Sequence, residues 1–348
     1  MYKLKNEIEK VEYYYVNENL LYFTDNLYFN FNLIFPQNVI GGSLLGSQHI
    51  LINENNRQLI IDKDSELIND FSNNVLINDI VFQDSLVRIA SIDTLFNEDG
   101  SIICNWLIYN FKTNTLIKDL KIKTNYCNPI FFNEELIIFQ EMNILRCYKV
   151  NNGAVLWEYN NEFAHNATLG IFNDFILLPT KNHTILSINI PTGKIVHKWR
   201  ELPNINKGSK WEGLIPESQS FVLDKKQSKL IGAFHKYYID IDLISHEINY
   251  IDITSELKKY HIIFIKQLND NPFTEVHIFL TAMMEQTLND KKWSYDCLFA
   301  LNRNTLKIDW IYKFEKQNLG THIPKMTHNK LFQLDNNNSL HIFDKTRK

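Results

Sequence analysis

The stretch Pro129-Ile-Phe-Phe-Asn-Glu-Glu-Leu-Ile-Ile-Phe-Gln-Glu-Met-Asn-Ile-Leu-Arg-Cys-Tyr148 can be laid over Gly170-Ile-Phe-Asn-Asp-Phe-Ile-Leu-Leu-Pro-Thr-Lys-Asn-His-Thr-Ile-Leu-Ser-Ile188 almost residue for residue. Each begins apolar, turns through Asn with an acidic neighbour, runs apolar again, turns a second time and ends in a stretch of alternating polarity. The phrase that follows is shared as well: Asn151-Asn-Gly153 leads to Trp157, and Pro191-Thr-Gly193 leads to Trp199. A short hairpin loop needs one residue at positive φ, which glycine adopts without a Cβ clash, and a preceding Asn or Asp accepts the free turn amides.

Degenerate copies keep the polar turn and lose the glycine: Asp62-Lys-Asp-Ser-Glu66, Asn110-Phe-Lys-Thr-Asn114, Asp242-Leu-Ile-Ser-His246, Asn302-Arg-Asn-Thr-Leu306 and Asp344-Lys-Thr-Arg-Lys348. The turn slots at 66, 114, 153, 193, 246, 306 and 348 recur at a pitch of about 40 to 45 residues, with two longer repeats that carry insertions. An eighth copy, Tyr13 to Phe31, makes its inner turn at Asp25-Asn26 but has a poorly defined outer hairpin. This period is that of a β-propeller, whose repeats are small antiparallel sheets that bury their faces only against neighbouring sheets. The expected fold is all-β, one propeller domain over 1-348 with four-stranded blades, eight in number or, as the alternative, seven. The final copy lacks a fourth strand, and Tyr2-Lys-Leu-Lys-Asn-Glu-Ile8 is suited to pair with Ser339-Leu-His-Ile-Phe343. Residues 1-8 are thus expected to close a ring built from 9-348 and to remove its open edge.

With 348 residues, 45% hydrophobic and 13% aromatic, the chain has ample material for such a core. Its 36 basic and 40 acidic residues are interspersed, so no basic face marks a nucleic-acid partner. Cys104, Cys127, Cys147 and Cys297 are widely spaced in or beside apolar runs and form no Cys-x-x-Cys pair, which points to neither a disulfide framework nor a thiolate metal site. The N-terminal residues alternate charge with hydrophobe and contain no apolar signal core, and no stretch is apolar enough to cross a bilayer. The expectation is a soluble, cytoplasmic protein without a membrane partner.

The order of Asn or Asp, Gly-containing turn and tryptophan at Ala154 to Trp157 and at Gly193 to Trp199 resembles the repeat of the quinoprotein-like, or PQQ-like, propellers. The resemblance implies that Trp157, Trp199 and Trp310 dock between neighbouring blades. It does not bring enzymatic activity with it. The quinone-dependent dehydrogenases of that family use adjacent cysteines and a calcium site, and this chain has no adjacent cysteines. No cofactor or metal is therefore expected.

No histidine falls in His-x-His, His-Glu-x-x-His or His-x-x-His spacing. Turn or surface positions account for His183, His197 and His246. Asp240 and Asp242 share one strand face, most simply as a solvated face ending in a turn cap, and Asp62 to Glu66 reads as a hairpin tip, lacking the glycine and distal Glu of a calcium loop. The interruptions of the repeat carry more information. Inner turns lengthen at Thr94 to Gly100 and at Met283 to Trp293, and the link from Arg200 to Gly213 swells. In a propeller these three emerge on one side. They bring Glu98, Asp99, Lys210, Trp211, Glu212, Lys292, Trp293 and Tyr295 to that side, a mixture of aromatic and charged residues that protein interfaces use as anchors. The leading expectation is a non-enzymatic protein-binding propeller, in a narrower form an immunity-type inhibitor that caps a toxin. The alternative is a carbohydrate or small-metabolite hydrolase or lyase with its site at the central channel.

Overall fold

A computed structural model describes the chain apart from residues 1, 17, 25, 36–38, 46–48, 55–56, 73–74, 81–85, 92–102, 126–128, 142–143, 161–167, 201–211, 214–220, 267–270, 289–290, 316–318, 321 and 347–348. Its strands form eight four-stranded antiparallel sheets, seven of which are meanders in strict chain order. After β1 (Tyr2–Ile8) come β2 (Tyr13–Val16), β3 (Leu20–Phe23), β4 (Leu27–Phe29) and β5 (Asn32–Phe35). The second sheet is β6 (Val39–Leu45), β7 (His49–Glu54), β8 (Arg57–Asp62) and β9 (Leu67–Ser72), and the third β10 (Val75–Ile80), β11 (Leu86–Ser91), β12 (Ile103–Asn110) and β13 (Thr115–Asn125). The fourth is β14 (Ile130–Phe131), β15 (Leu136–Glu141), β16 (Ile144–Lys149) and β17 (Val155–Asn160), and the fifth β18 (Gly170–Phe172), β19 (Phe175–Pro179), β20 (Ile185–Asn189) and β21 (Ile195–Trp199). The sixth is β22 (Phe221–Asp224), β23 (Lys229–Phe234), β24 (Tyr237–Asp242) and β25 (Ile248–Asp252). A single turn and a half of helix, α1 (Thr254–Lys259), leads to β26 (Ile262–Ile265), β27 (His277–Leu288), β28 (Lys291–Asn302) and β29 (Ile308–Lys313). The last sheet has β30 (Lys325–Met326), β31 (Lys330–Leu334) and β32 (Leu340–Lys345), with β1 as its outer strand.

Contacts cluster in two compact units. One contains Met1–Val11, Ala167–Ile188 and Ile195–Lys348, the other Glu12–Asn166 and the hairpin tip Asn189–Lys194. Within the second unit Leu21, Phe23, Leu27 and Phe29 of one sheet bury against Ile50, Ile52, Leu59 and Ile61 of the next. Trp106, Ile108 and Leu120 do the same against Ile137, Phe139 and Tyr148. In the first unit alternation along the strands gives each sheet two apolar faces. Leu280, Ala282, Cys297 and Phe299 pack with Val222, Ile231 and Tyr238, while their neighbours Phe279, Leu298 and Ala300 pack with Leu331 and Phe343. A strand with apolar residues at both parities is thereby buried on both sides, which explains the near-continuous hydrophobic runs of the repeat.

The turn chemistry read from the repeats is present in the backbone. Positive φ occurs at Asn114 (51°), Gly153 (70°), Gly193 (69°), His246 (65°) and Leu306 (55°). The slot expected at Glu66 falls instead on Ser65 (67°). This turn is one residue shorter, since Asp62 N–H donates to Glu66 O where Asn302 N–H donates to Lys307 O, one residue further on. The leading Asp or Asn caps each loop: Asp62 Oδ1 accepts from the amides of Asp64 and Glu66, Asp242 Oδ1 from Ile244 and Ser245, and Asn302 Oδ1 from Asn304 and Thr305. The first copy, poorly defined in sequence, makes its outer hairpin at Asn30-Phe31, both at positive φ. Asn30 Oδ1 accepts from Leu20 N–H at 3.0 Å and so ties this turn to the start of β3.

Three tryptophans on fourth strands lock each sheet to the hairpin or edge of the following one. Trp157 Nε1 donates to Ile190 O at 2.6 Å, Trp199 Nε1 to His246 O at 3.1 Å and Trp310 Nε1 to Tyr2 O at 2.7 Å. Gly193 lies directly under the Trp157 indole, where a Cβ would stand 2.5 Å from Cγ. The strand β1 is antiparallel to β32 with Leu4 opposite Phe343 and Ile8 opposite Leu340, and the Tyr2 ring contacts Phe279 and Trp310.

Candidate protein-binding site

Strands β27 and β28 pair through twelve rungs, from His277 opposite Asn302 to Leu288 opposite Lys291. Their flanking strands stop earlier. Along β27 the pairing with β26 ends at Met284, and along β28 the pairing with β29 ends at Cys297. The rungs from Glu285–Ser294 to Leu288–Lys291 therefore project as a two-stranded ribbon, about 13 Å long at about 3.3 Å per residue. Met283 to Trp293 was expected as a lengthened turn; apart from residues 289 and 290 it is paired strand. Its sequence does not alternate: Met283 and Met284 are followed by Glu285, Gln286 and Thr287, and Asn289 to Lys292 are all polar, so the strand here continues the β27–β28 ladder without a periodic signal of its own.

One face of the ribbon base is braced. Met284 is buried opposite Tyr295, and Tyr295 packs against the core between the sixth and seventh sheets. Lys313 Nζ lies 3.5 Å from the centroid of the Tyr295 ring and donates to Gln286 Oε1 at 2.6 Å. Gln286 is opposite Trp293. The Trp293 side chain follows on the same face and is 51% exposed, the largest exposed aromatic among the described residues. On the opposite face Lys292 Nζ meets Glu285 Oε1 at 2.9 Å, an exposed pair that holds geometry more than it adds stability. The ribbon thus holds an indole in water at the end of a braced strut.

Of the residues singled out in the sequence, Lys292, Trp293 and Tyr295 come together here. Glu212 is exposed in a turn with Gly213 (φ 73°). Glu98, Asp99, Lys210 and Trp211 lie outside the described residues. Gln286, Lys313 and Met284 were missed, since no alternation of polar and apolar residues marks the stretch around them as strand. At the same end of the sheet Ile263 (54% exposed) and Phe264 sit at a bulge in β26, where Ile262 pairs with Met284 and Phe264 with Met283. The Phe264 ring lies 6.1 Å from His235, whose imidazole burial holds below its ordinary pKa.

The remaining polar clusters have structural partners. Asp240 accepts from Lys229 Nζ at 3.0 Å, and Asp242 caps its turn, as the sequence indicated. His197 and His246 are not simple surface residues: their rings stack at 4.0 Å beside Trp199, and burial together with the neighbouring His246 lowers the His197 pKa. Arg303, buried, donates to Asp224 Oδ2 at 2.7 Å, to Gln227 Oε1 and to Thr274 O, tying the seventh sheet to the sixth. Asp296 is engaged by Lys266 and by the Leu319 amide. Burial pushes the thiols of Cys147 and Cys297 up to about 12, which leaves them as small hydrophobes. Among the described residues no group of three or more His, Cys, Asp or Glu side chains is arranged to hold a metal ion, and no helix is long and apolar enough to cross a membrane.

No family model matches the chain, and no curated protein matches its sequence. Solved structures do. The chain is similar to Sqt1 of Saccharomyces cerevisiae, with a TM-score of 0.57 at 10% identity over 99% of this chain and 98% of that one. It is also similar to the computationally designed Ika8 protein, with a TM-score of 0.56 at 8% identity over 97% and 96%. BamB from Moraxella catarrhalis aligns over 99% and 100% at 9% identity, with a TM-score of 0.47, too low to carry an argument. The likeness shows the fold alone: eight four-stranded antiparallel sheets on the plan of a β-propeller.

Proposed function

We propose that the chain is a non-enzymatic, cytoplasmic binding protein, a single eight-bladed propeller of the quinoprotein-like kind closed by β1, which presents the β27–β28 ribbon to a partner protein. The observation that supports this reading is Trp293, half exposed on a strut whose base is fixed by Met284, Tyr295, Gln286 and Lys313. Tryptophan is among the residues that most often dominate interface energetics, and holding it on a rigid element limits the entropy lost on binding. Trp211, in the link that ends at the same side of the repeat plan, is the second anchor. In the narrowest form of the reading the partner is a toxin and this chain its inhibitor.

The test uses the complex recovered with the tagged full chain from its source organism. Trp293→Ala should leave the melting temperature unchanged and weaken the complex by about 2 kcal/mol, roughly thirtyfold in Kd. Trp211→Ala combined with Trp293→Ala should weaken it further. Binding unchanged in the double variant refutes the assignment, and fractionation of the tagged chain outside the cytoplasm refutes its location.

A further inference from the structure

The ribbon offers a backbone edge as well as an aromatic side chain. In an antiparallel pair, alternate residues turn both their N–H and their C=O away from the partner strand. Phe314 N–H donates to Asp296 O at 2.9 Å, so Asp296 belongs to the outward set on the β29 side of β28. The period of two places Ser294 and Lys292 in the same set. An independent contact fixes the phase: Glu285, directly opposite Ser294, donates its N–H away from β28 to His261 O at 3.0 Å. Because β29 reaches only to the Cys297–Lys313 rung, Ser294 and Lys292 present main-chain groups that no described strand pairs.

We propose that this edge accepts an extended, acidic segment of the partner as an added strand, in line with β29, with its backbone bonded to Ser294 and Lys292. The proposal rests on the reading of the ribbon as a binding element. Strand addition supplies affinity through main-chain hydrogen bonds and selectivity through the side chains beside them. Here those side chains are the exposed Lys291, Lys292 and Lys313 together with Trp293. Glu285 is paired with Lys292 and the buried Asp296 with Lys266, so among the described residues the exposed Lys291 and Lys313 outnumber the one further carboxylate, Glu315. The charge left along the edge is positive, which selects an acidic strand. A second copy is disfavoured by the same groups, since an antiparallel twofold centred on Lys292 would oppose Lys292 to itself, and edge lysines are a standard guard against self-pairing.

The test uses the full chain and two capped octapeptides, one of alternating Thr and Glu and the other of alternating Thr and Lys. The Thr-Glu peptide should slow amide exchange at Ser294 and Lys292, and the Thr-Lys peptide should leave both unchanged. Ser294→Pro removes one outward N–H without breaking a bond to β27, so it should preserve the melt and weaken the Thr-Glu peptide about tenfold. If Ser294→Pro perturbs folding, N-methylation of alternate peptide amides tests the same bonds from the other side, with loss of protection expected. Unchanged exchange with the Thr-Glu peptide, equal effects of both peptides, indifference to both Ser294→Pro and N-methylation, or protection that instead follows concentration-dependent dimerisation overturns the proposal. A native complex lost in Trp293→Ala but retained in Ser294→Pro removes strand addition and keeps the binding surface, whereas indifference to both variants removes both.

Discussion

Replacing Gly193 by alanine should destabilise the protein by about 3 kcal/mol, through two separable effects. The first is local. At φ 69° an alanine enters the left-handed region, at roughly 1 kcal/mol relative to glycine. The second is a collision, because the new Cβ would lie 2.5 Å from Trp157 Cγ and 2.8 Å from Trp157 Cβ. The indole cannot simply swing away, since its Nε1 is bonded to Ile190 O at 2.6 Å, three residues before the glycine. Moving it forfeits that bond, about 1 kcal/mol, and a similar amount of packed apolar area. A double-mutant cycle separates the two. In a Trp157→Ala background the obstacle is gone, so Gly193→Ala should then cost only the roughly 1 kcal/mol of backbone strain, and the coupling energy should be about 2 kcal/mol. Urea denaturation of the four proteins followed by far-UV circular dichroism measures it. An equal cost of Gly193→Ala in both backgrounds would refute the claim that the glycine at 193 seats the Trp157 indole of the preceding sheet on the turn, and would reduce the glycine to a backbone requirement.

The buried Arg303–Asp224 pair predicts that Arg303→Met alone, which strands a buried carboxylate, costs about 3 to 5 kcal/mol, while Arg303→Met with Asp224→Leu recovers most of the loss in thermal denaturation. Stability should also fall with acid below about pH 6.5. His197, His235 and His322 all have folded pKa values held below 6.5, chiefly by burial, so the unfolded chain takes up protons first and is favoured as the pH drops. The native advantage is complete above 6.5 and declines below it; His197→Gln should flatten part of that slope, and an unaltered slope would place the effect elsewhere. Trp310→Phe removes the bond to Tyr2 O and should cost about 1 kcal/mol, read most sharply as faster amide exchange over Tyr2 to Ile8.

The parts of the fold that were legible in the sequence are those decided within a few residues. Asn or Asp at the head of a turn and a left-handed residue three or four positions later are local requirements, so copies without glycine still declared themselves at Asn114, His246 and Leu306. The error at Glu66 is a one-residue change of loop length, which the same polar letters accommodate either way. The first copy was obscure because its outer turn uses Asn30-Phe31, an aromatic in the slot where glycine is usual, and only the distant Leu20 amide reveals what Asn30 is doing. The stacked His197 and His246 were read as separate turn and strand residues for a similar reason, since 49 positions of chain separate two rings that lie 4.0 Å apart.

The ribbon was misread for a different reason, and it bears most on function. Met283 to Trp293 departs from the repeat, and its polar run from Glu285 to Lys292, broken only by Leu288, reads as a loop because it lacks the alternation of a half-buried strand. A two-stranded ribbon beyond its flanking strands is marginal in water unless something braces it. The bracing residues, Tyr295 with Lys313 and Gln286, come from three strands, and no local rule announces their contact. Once braced, the ribbon keeps both an exposed indole and a main-chain edge that no described strand pairs out of the core, features that folding alone selects against. A blade needs neither for its own stability, and that imbalance is the physical argument for recognition at this end of the seventh sheet.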